Sequence, residues 1–426
     1  MKVLSFEEAR QSFDRRYVPL DEVAETVATV VQAVRERGDE ALIELSEKFD
    51  RVKFASADKM AVTKAEFDAA DAGVDHEVRE ATRLSRENVQ AFAEKSKRRD
   101  WQDLNAQGAE VGEMFQPFQR VGIYVPGGTA PLISTVNMTV TIAAAAGCPE
   151  IVVCTPPAPD GSINPDMLYA LRTAGATEVY KVGGAQAIAA LALGTETIKP
   201  VDKIYGPGNA YVMEAKRQTF GAVAIDLLPG PSEVLVLADK TGTPAWIAAD
   251  LLAQAEHGGD SVAVFVSDSQ DLLDGVQAEI DRQAELLSRQ GPLRKVLEEN
   301  CTLVKVDDIR TQGIELTNAF APEHLSLVAE NDEQLLPLIR TAGAIFAGPY
   351  SPVAVGDFLA GPSHELPTGG ACKAFAGLTV DQFQRRTSIV RLSKEALAKS
   401  TPIIETFARM EGLDAHGNSA SIRLTE

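Results

Sequence analysis

From residue 119 onward, short β-branched runs alternate with small-residue or amphipathic stretches, and this alternation limits the fold more than anything else in the chain. "QRVGIYVPGGTAP" reads as a strand, "STVNMTVTIAAAAGC" as a helix, and "EIVVCTPP" as a buried strand. "DMLYALRTAGA" and "AQAIAALALG" are helical, and "EVYKVGG" and "DKIYGPG" are strands. Strands alternating with helices predict a parallel sheet covered on both faces. Ligands of such sheets bind beyond the carboxyl ends of the strands. Three of these strands end in glycines, namely Gly127–Gly128, Gly183–Gly184, and Gly206 with Gly208, where a backbone or ligand can approach closely. None completes G-x-G-x-x-G, so the dinucleotide fingerprint is absent.

A second alternating block follows. It runs through "AIDLLPGPSEVLVLAD", "PAWIAADLLAQAEHG", "SVAVFVSDS", one long helix "LLDGVQAEIDRQAELLSRQG", "CTLVKVDD", and a strand–turn region to "AIFAGPY". Two α/β units of similar build are therefore predicted. The first third reads as helix. Val23, Val27, Val30 and Val34 recur at helical steps, with Asp21 as N-cap and Gly38 as a stop. A further charged, Ala-rich helical stretch covers about 63–100. The last stretch, from "DQFQRRTSIVRL" to "DAHGNS", reads as mostly helical and polar. It resembles an appendage packing on its own chain or on a partner.

Composition narrows the function classes. The 426 residues carry a net charge of −20, which argues against nucleic-acid binding. The N-terminus has no apolar signal segment and no stretch reaches a membrane span, so a cytoplasmic protein is expected. Cys148, Cys154, Cys301 and Cys372 have no paired metal spacing and are expected to be reduced.

Only five histidines are present, and they guide the search for chemistry. His76 lies in a charged helix and reads as surface. Gln254 and His257 stand three apart at a helix end before Gly258–Gly259, hence on one face. Asp357 follows a glycine in a loop, and His416 lies in "LDAHGNS". Two imidazoles, a carboxylate and an amide oxygen would suit Zn²⁺ or Mn²⁺ if they met, though spacing does not bring them together. "NAFAPEHLSL" sets Glu323 beside His324. Two readings of that pair are open. One is a helix starting after Pro322 with Glu323 in its first turn. The other is a histidine base beside a carboxylate that activates water.

Eight segments in series carry a resemblance. "VGIYVPGGTAPLISTVNM", "VGGAQAIAALALGTET", "IYGPGNAYVMEAKR", "GPSEVLVLAD", "LLAQAEHGGDS", "APEHL", "VGDFLAGPSHELPTGG" and "EGLDAH" together resemble the histidinol dehydrogenase family through nearly the whole chain. The resemblance implies oxidation of L-histidinol to L-histidine in two steps, with two NAD⁺ and one zinc ion per subunit, closing histidine biosynthesis. It implies zinc ligands at Gln254, His257, Asp357 and His416, and acid/base roles at Glu323 and His324. It implies NAD⁺ contacts at Tyr124, Gln186 and Asn209. Substrate contacts fall on Ser232, His364 and Glu411, together with the metal ligands and His324. It further implies a homodimer whose C-terminal tail reaches the neighbouring site.

The expected architecture is two Rossmann-like, aldehyde-dehydrogenase-like domains. An N-terminal helical segment (1–20) precedes them. The first domain spans 21–122 and 232–378, the second, NAD-binding one spans 123–231, and a helical tail covers 379–426. One departure stands out: the family often has Asn before the loop histidine, where this chain has Ser363. Some relatives oxidise other polar alcohols, such as sulfonated diols, and that remains the alternative substrate class. Glu411, suited to an amino group, favours histidinol.

Rival chemistries are a thiol-dependent aldehyde dehydrogenase using Cys372 beside Lys373, a metallohydrolase using Glu323, and a two-lobed binding protein.

Overall fold

A computed structural model describes residues 1–15, 21–127 and 132–425. Gly128 of the first glycine turn therefore lies outside the described residues, as do 16–20 of the expected N-terminal segment. Two wholly parallel sheets organise the chain.

The smaller has five strands in the order Glu178–Tyr180, Glu150–Cys154, Arg120–Tyr124, Lys203–Tyr205, Ala224–Ile225. Chain order reverses between Arg120–Tyr124 and Lys203–Tyr205, which pair in parallel. Every residue of Arg120–Tyr124 is buried, as befits a central strand covered on both faces. Helices Ile133–Ala146, Pro165–Ala174, Gly184–Leu193 and Ala210–Thr219 make the crossovers.

The larger has six strands in the order Lys2–Ser5, Cys301–Lys305, Val262–Ser267, Glu233–Ala238, His324–Val328, Ala344–Ala347. Here the reversal falls between Glu233–Ala238 and His324–Val328. The expected single helix after Val262–Ser267 is two helices, Gln270–Ala284 and Gln290–Glu299.

The helical first third belongs with the smaller sheet. Val27, Val30 and Val34 share a core with Ile188, Leu191 and Val212. Ala70, Val89 and Ala93 share another with Val121, Ile123 and Val136. The expected grouping of 21–122 with 232–378 is thus not how the cores divide, because these helices cover both faces of the smaller sheet. An expected boundary at 123 also cuts the strand Arg120–Tyr124.

Local differences have local causes. The span Asp21–Leu45 is two helices meeting at a kink, and Gly38 (φ +50°, ψ −124°) ends the first of them as expected. The stretch 63–100 is two helices, Lys64–Gly73 and His76–Ser96, parted by extended Val74 and Asp75. Residues 1–15 begin as a strand, Lys2–Ser5, pairing with Cys301–Lys305, before the helix Phe6–Phe13. Gln384–Arg391, expected to be helical, is a strand antiparallel to Glu110–Pro117. Its pairing partner lies far away in sequence and overrides local propensity. Helices Lys394–Glu411 and Asp414–Ser421 complete the tail. Among the described residues no helix is long and apolar enough to cross a membrane.

Candidate active site

The helix Ile314–Phe320 ends at Ala321 in the left-handed region (φ +52°). Pro322 follows, and His324 opens the strand His324–Val328. No helix starts after Pro322, so the first-turn reading of Glu323 is overturned. His324 is instead fixed in register opposite Val234 and Ala344. Glu323 precedes the regular strand, so its side chain is not confined to the opposite face. Glu323 Oε2 lies 3.6 Å from His324 Nδ1, and both residues are buried. The pair stands at the amino edge of its sheet, where carboxyl ends had been expected.

Glu233 ties the pair together. Its backbone N–H donates to Glu323 Oε2 at 2.7 Å, and its carbonyl lies 3.1 Å from His324 Nδ1. Gln254 Oε1 is 3.3 Å from the same nitrogen. All three oxygens around Nδ1 are acceptors, so Nδ1 carries the hydrogen and Nε2 of the neutral ring keeps the lone pair. Nε2 has no hydrogen-bond partner and faces Asp357 Oδ1 at 3.7 Å. Burial pushes His324 down to about 4, against the pull of Asp357. The ring is therefore neutral at neutral pH, with the Nε2 lone pair unoccupied by a proton. Burial raises Glu323 well above the usual carboxylate range, helped by the charges of Glu233, Asp357 and Glu365 and opposed by the Glu233 N–H.

Sequence reasoning missed Arg15. Its guanidinium grips Glu233 through two contacts of 2.5 and 3.0 Å and donates to the Phe320 carbonyl at 3.0 Å. Nothing local marks it, because its partner lies 218 residues away.

His364 donates through Nδ1 to the Asp357 carbonyl at 3.0 Å. Its Nε2 lies 3.4 Å from Glu365 Oε1 and 3.5 Å from Thr135 Oγ1. Burial lowers His364, but the Glu365 carboxylate together with the Asp357 charge and carbonyl outweighs it, and the net shift is upward. Thr135 belongs to the helix Ile133–Ala146, so the smaller unit meets the larger at this loop. Ser363 donates to the Met138 carbonyl at 3.0 Å and accepts from the Glu365 N–H at 3.2 Å. Its hydroxyl thus ties the loop to the helix Ile133–Ala146. Ser232 is half-buried beside Glu233.

The candidate metal ligands divide. The helix Pro244–Ala255 places buried Gln254 at its C-terminal end, where the dipole favours a cation. His257 follows, exposed, with Nδ1 2.9 Å from the Ala253 carbonyl. That bond puts the hydrogen on Nδ1 and leaves the Nε2 lone pair available. Asp357 lies beside His324, and Gln254 Nε2 is buried without a partner. Among the described residues no three His, Cys, Asp or Glu side chains are grouped to hold a metal. Glu411 and His416 lie exposed in the tail, and nothing among the described residues joins them to the others.

A cavity of about 820 Å³ opens where the smaller sheet's chain order reverses. Tyr124, Gln186 and Asn209 all line it. Tyr124 ends the strand Arg120–Tyr124, and its Oη accepts the Gly184 N–H at 3.1 Å. Asn209 caps the helix Ala210–Thr219 through Oδ1. Gln186 Nε2 donates to Asp50 Oδ2 at 3.3 Å.

Cys372 does not fit a nucleophile. Its thiol donates to the Pro367 carbonyl at 3.0 Å, and burial pushes it up to about 12.

Residues 13–424 match the protein family described as histidinol dehydrogenase. The histidinol dehydrogenase of Heliobacterium mobile is 44% identical over 402 residues, covering 94% of each chain. That of Agrobacterium fabrum is 45% identical over 404 residues, covering 95% of this chain and 93% of the other. The crystal structure of histidinol dehydrogenase from Elizabethkingia anophelis superposes with a TM-score of 0.95 at 36% identity, covering 100% of this chain and 98% of that one.

Proposed function

Since this chain belongs to the histidinol dehydrogenase family of oxidoreductases, we propose that it oxidises L-histidinol through L-histidinal to L-histidine, reducing two NAD⁺. The observation that carries this reading is the buried pair Glu323–His324, with the unprotonated Nε2 of His324 free of hydrogen bonds. Two hydride removals and one hydration each take a proton from oxygen, work that two neighbouring bases can divide. His324 takes the proton from the alcohol, and later from the hydrate, at Nε2. Its Nδ1–H stays on the Glu233 carbonyl, which holds the ring while the proton moves. Glu323, with its raised affinity for protons, takes a proton from water during hydration of the aldehyde.

Gln254, His257 and Asp357 supply donors that suit zinc, and His416 is the fourth. Bound zinc would hold the substrate's imidazole and amine, and so orient the carbinol carbon. Bound NAD⁺ would accept hydride at nicotinamide C4. Tyr124, Gln186 and Asn209, which line the cavity at the chain reversal, would hold it there, where such sheets bind ligands.

His416 and Glu411 reach a site by exchange of tails in a homodimer. Exposed Ile403, Phe407 and Met410 form an apolar row along Lys394–Glu411 that supports a covering partner. Ser232, His364 and Glu411 then enclose the substrate. A cytoplasmic enzyme fits this chemistry.

The deciding experiment is the yield of NADH per L-histidinol, with and without a chelator. Two NADH, lost on chelation, is the expected result. One or none redirects the substrate to another polar alcohol.

A further inference from the structure

The cavity on the smaller sheet carries a charge pattern that its three expected contacts leave unexplained. Among the described residues lining it, Asp50 alone has an acidic or basic side chain, and no Lys, Arg or His is among them. Asp50 closes the short π-helix Ser46–Asp50 that follows the long N-terminal helix. Its carboxylate reaches the start of the helix Gly184–Leu193. There it accepts the Gln186 amide at 3.3 Å and a bond from the Gly183 backbone. A Cβ on Gly183 would lie 2.8 Å from Asp50 Oδ1 and 2.6 Å from Pro156 Cβ, so only glycine admits the carboxylate here. Burial raises its pKa, the two hydrogen bonds oppose the rise, and no cation contributes.

A helix N-terminus next to a strand end is where Rossmann-type units take a pyrophosphate. Here Asp50 already fills that position and supplies the negative charge. Nucleotide phosphates must therefore lie elsewhere in the cavity, and whatever meets Asp50 must donate a hydrogen bond. A sugar hydroxyl does so. A phosphate monoester brings roughly −1.5 to −2 charges against a carboxylate that no cation among the described lining residues offsets.

We propose that Asp50 is a specificity-determining residue of the dinucleotide cavity, accepting a ribose hydroxyl and rejecting a 2′-phosphorylated dinucleotide. The proposal rests on reading this cavity as the NAD⁺ site.

Calorimetric titration of the full-length protein with NAD⁺ and NADP⁺ tests it, without turnover. Asp50→Asn and Asp50→Ser are compared with the wild type, and thermal unfolding identifies folded variants. The wild type is expected to bind NAD⁺ much more tightly than NADP⁺. Each variant should bind NAD⁺ about ten-fold more weakly, from loss of a charge-assisted hydrogen bond. The NADP⁺-to-NAD⁺ ratio of dissociation constants should fall by about ten-fold or more as the repulsion is removed. Equal weakening of both nucleotides, or an unchanged ratio in the folded variants, overturns the role of Asp50 while leaving the NAD⁺ site standing. A wild type that binds neither nucleotide overturns the cofactor reading and the Asp50 proposal with it.

Discussion

Glu323 Oε2 and His324 Nδ1 lie 3.6 Å apart, although adjacent side chains of a strand diverge. They meet because Glu323 stands just outside the strand and the Glu233 backbone engages both, through its N–H and its carbonyl. Their roles separate by atom. Nδ1 faces Glu323 and stays protonated, while the lone pair of Nε2 points to the Asp357 side. Glu323→Gln is therefore expected to slow conversion of aldehyde to acid far more than alcohol oxidation. NADH formation from L-histidinol and from L-histidinal, measured separately, checks this. Equal losses in both would remove the division of labour.

Arg15 acts on the pair through Glu233. Arg15→Met leaves the 3%-exposed carboxylate of Glu233 without its cation, at a cost of about 3 kcal/mol. Urea unfolding should report that loss, and kcat should fall more than KM changes. The double variant Arg15→Met/Glu233→Gln should recover part of the stability, since both charges are gone.

Lys216 and Asp226 form an ion pair with side-chain exposures of 0% and 3%. Between them they hold both polar groups of Gly206: Lys216 Nζ donates to its carbonyl at 2.9 Å and Asp226 Oδ2 accepts its N–H at 2.7 Å. This clamp positions the loop leading to Asn209. Lys216→Met should destabilise the protein by roughly 3–5 kcal/mol. In whatever fraction stays folded, calorimetry should find weaker NAD⁺ binding.

Burial raises Asp250 to about 6. A carboxyl whose folded pKa exceeds its unfolded value stabilises the fold below about pH 4, and that stability is lost as pH rises through about 6. Asp250→Asn should match the wild type near pH 4 and exceed it by about 2–3 kcal/mol at pH 7. Chemical denaturation of both proteins across that range gives the comparison. A constant difference between them would contradict it.

Tail exchange has a direct test. Glu323→Gln and His416→Asn copies should each be inactive in the full reaction. Mixed by refolding, they should recover about a quarter of wild-type activity, because half the dimers are mixed and each mixed dimer has one intact site. No recovery would place His416 in its own chain's site. His416→Asn alone should also lose zinc on dialysis.

Much of this was legible in the chain. The alternation of strands and helices determined two parallel sheets, because burial on both faces and the crossover helices leave a period that needs no partner to be read. The glycine-ended strands pointed to the end of the sheet where the cavity lies, and the family resemblance marked Tyr124 at a strand end and Gln186 and Asn209 at helix starts. Family segments marked Glu323 and His324. What tertiary structure alone decided is whatever depends on distant partners. The strand Gln384–Arg391 exists because Glu110–Pro117 pairs with it. The helices of 21–100 cover the smaller sheet because the apolar faces that complement them lie there. Arg15 and Asp50 have no local signal at all; each becomes part of a site only when folding brings a buried carboxylate to a guanidinium, or a helix start to a carboxylate. Sequence period sets the elements because it acts within a few residues. Charge pairing and hydrogen bonding in the sites act through space, and only the packed chain defines which groups are close.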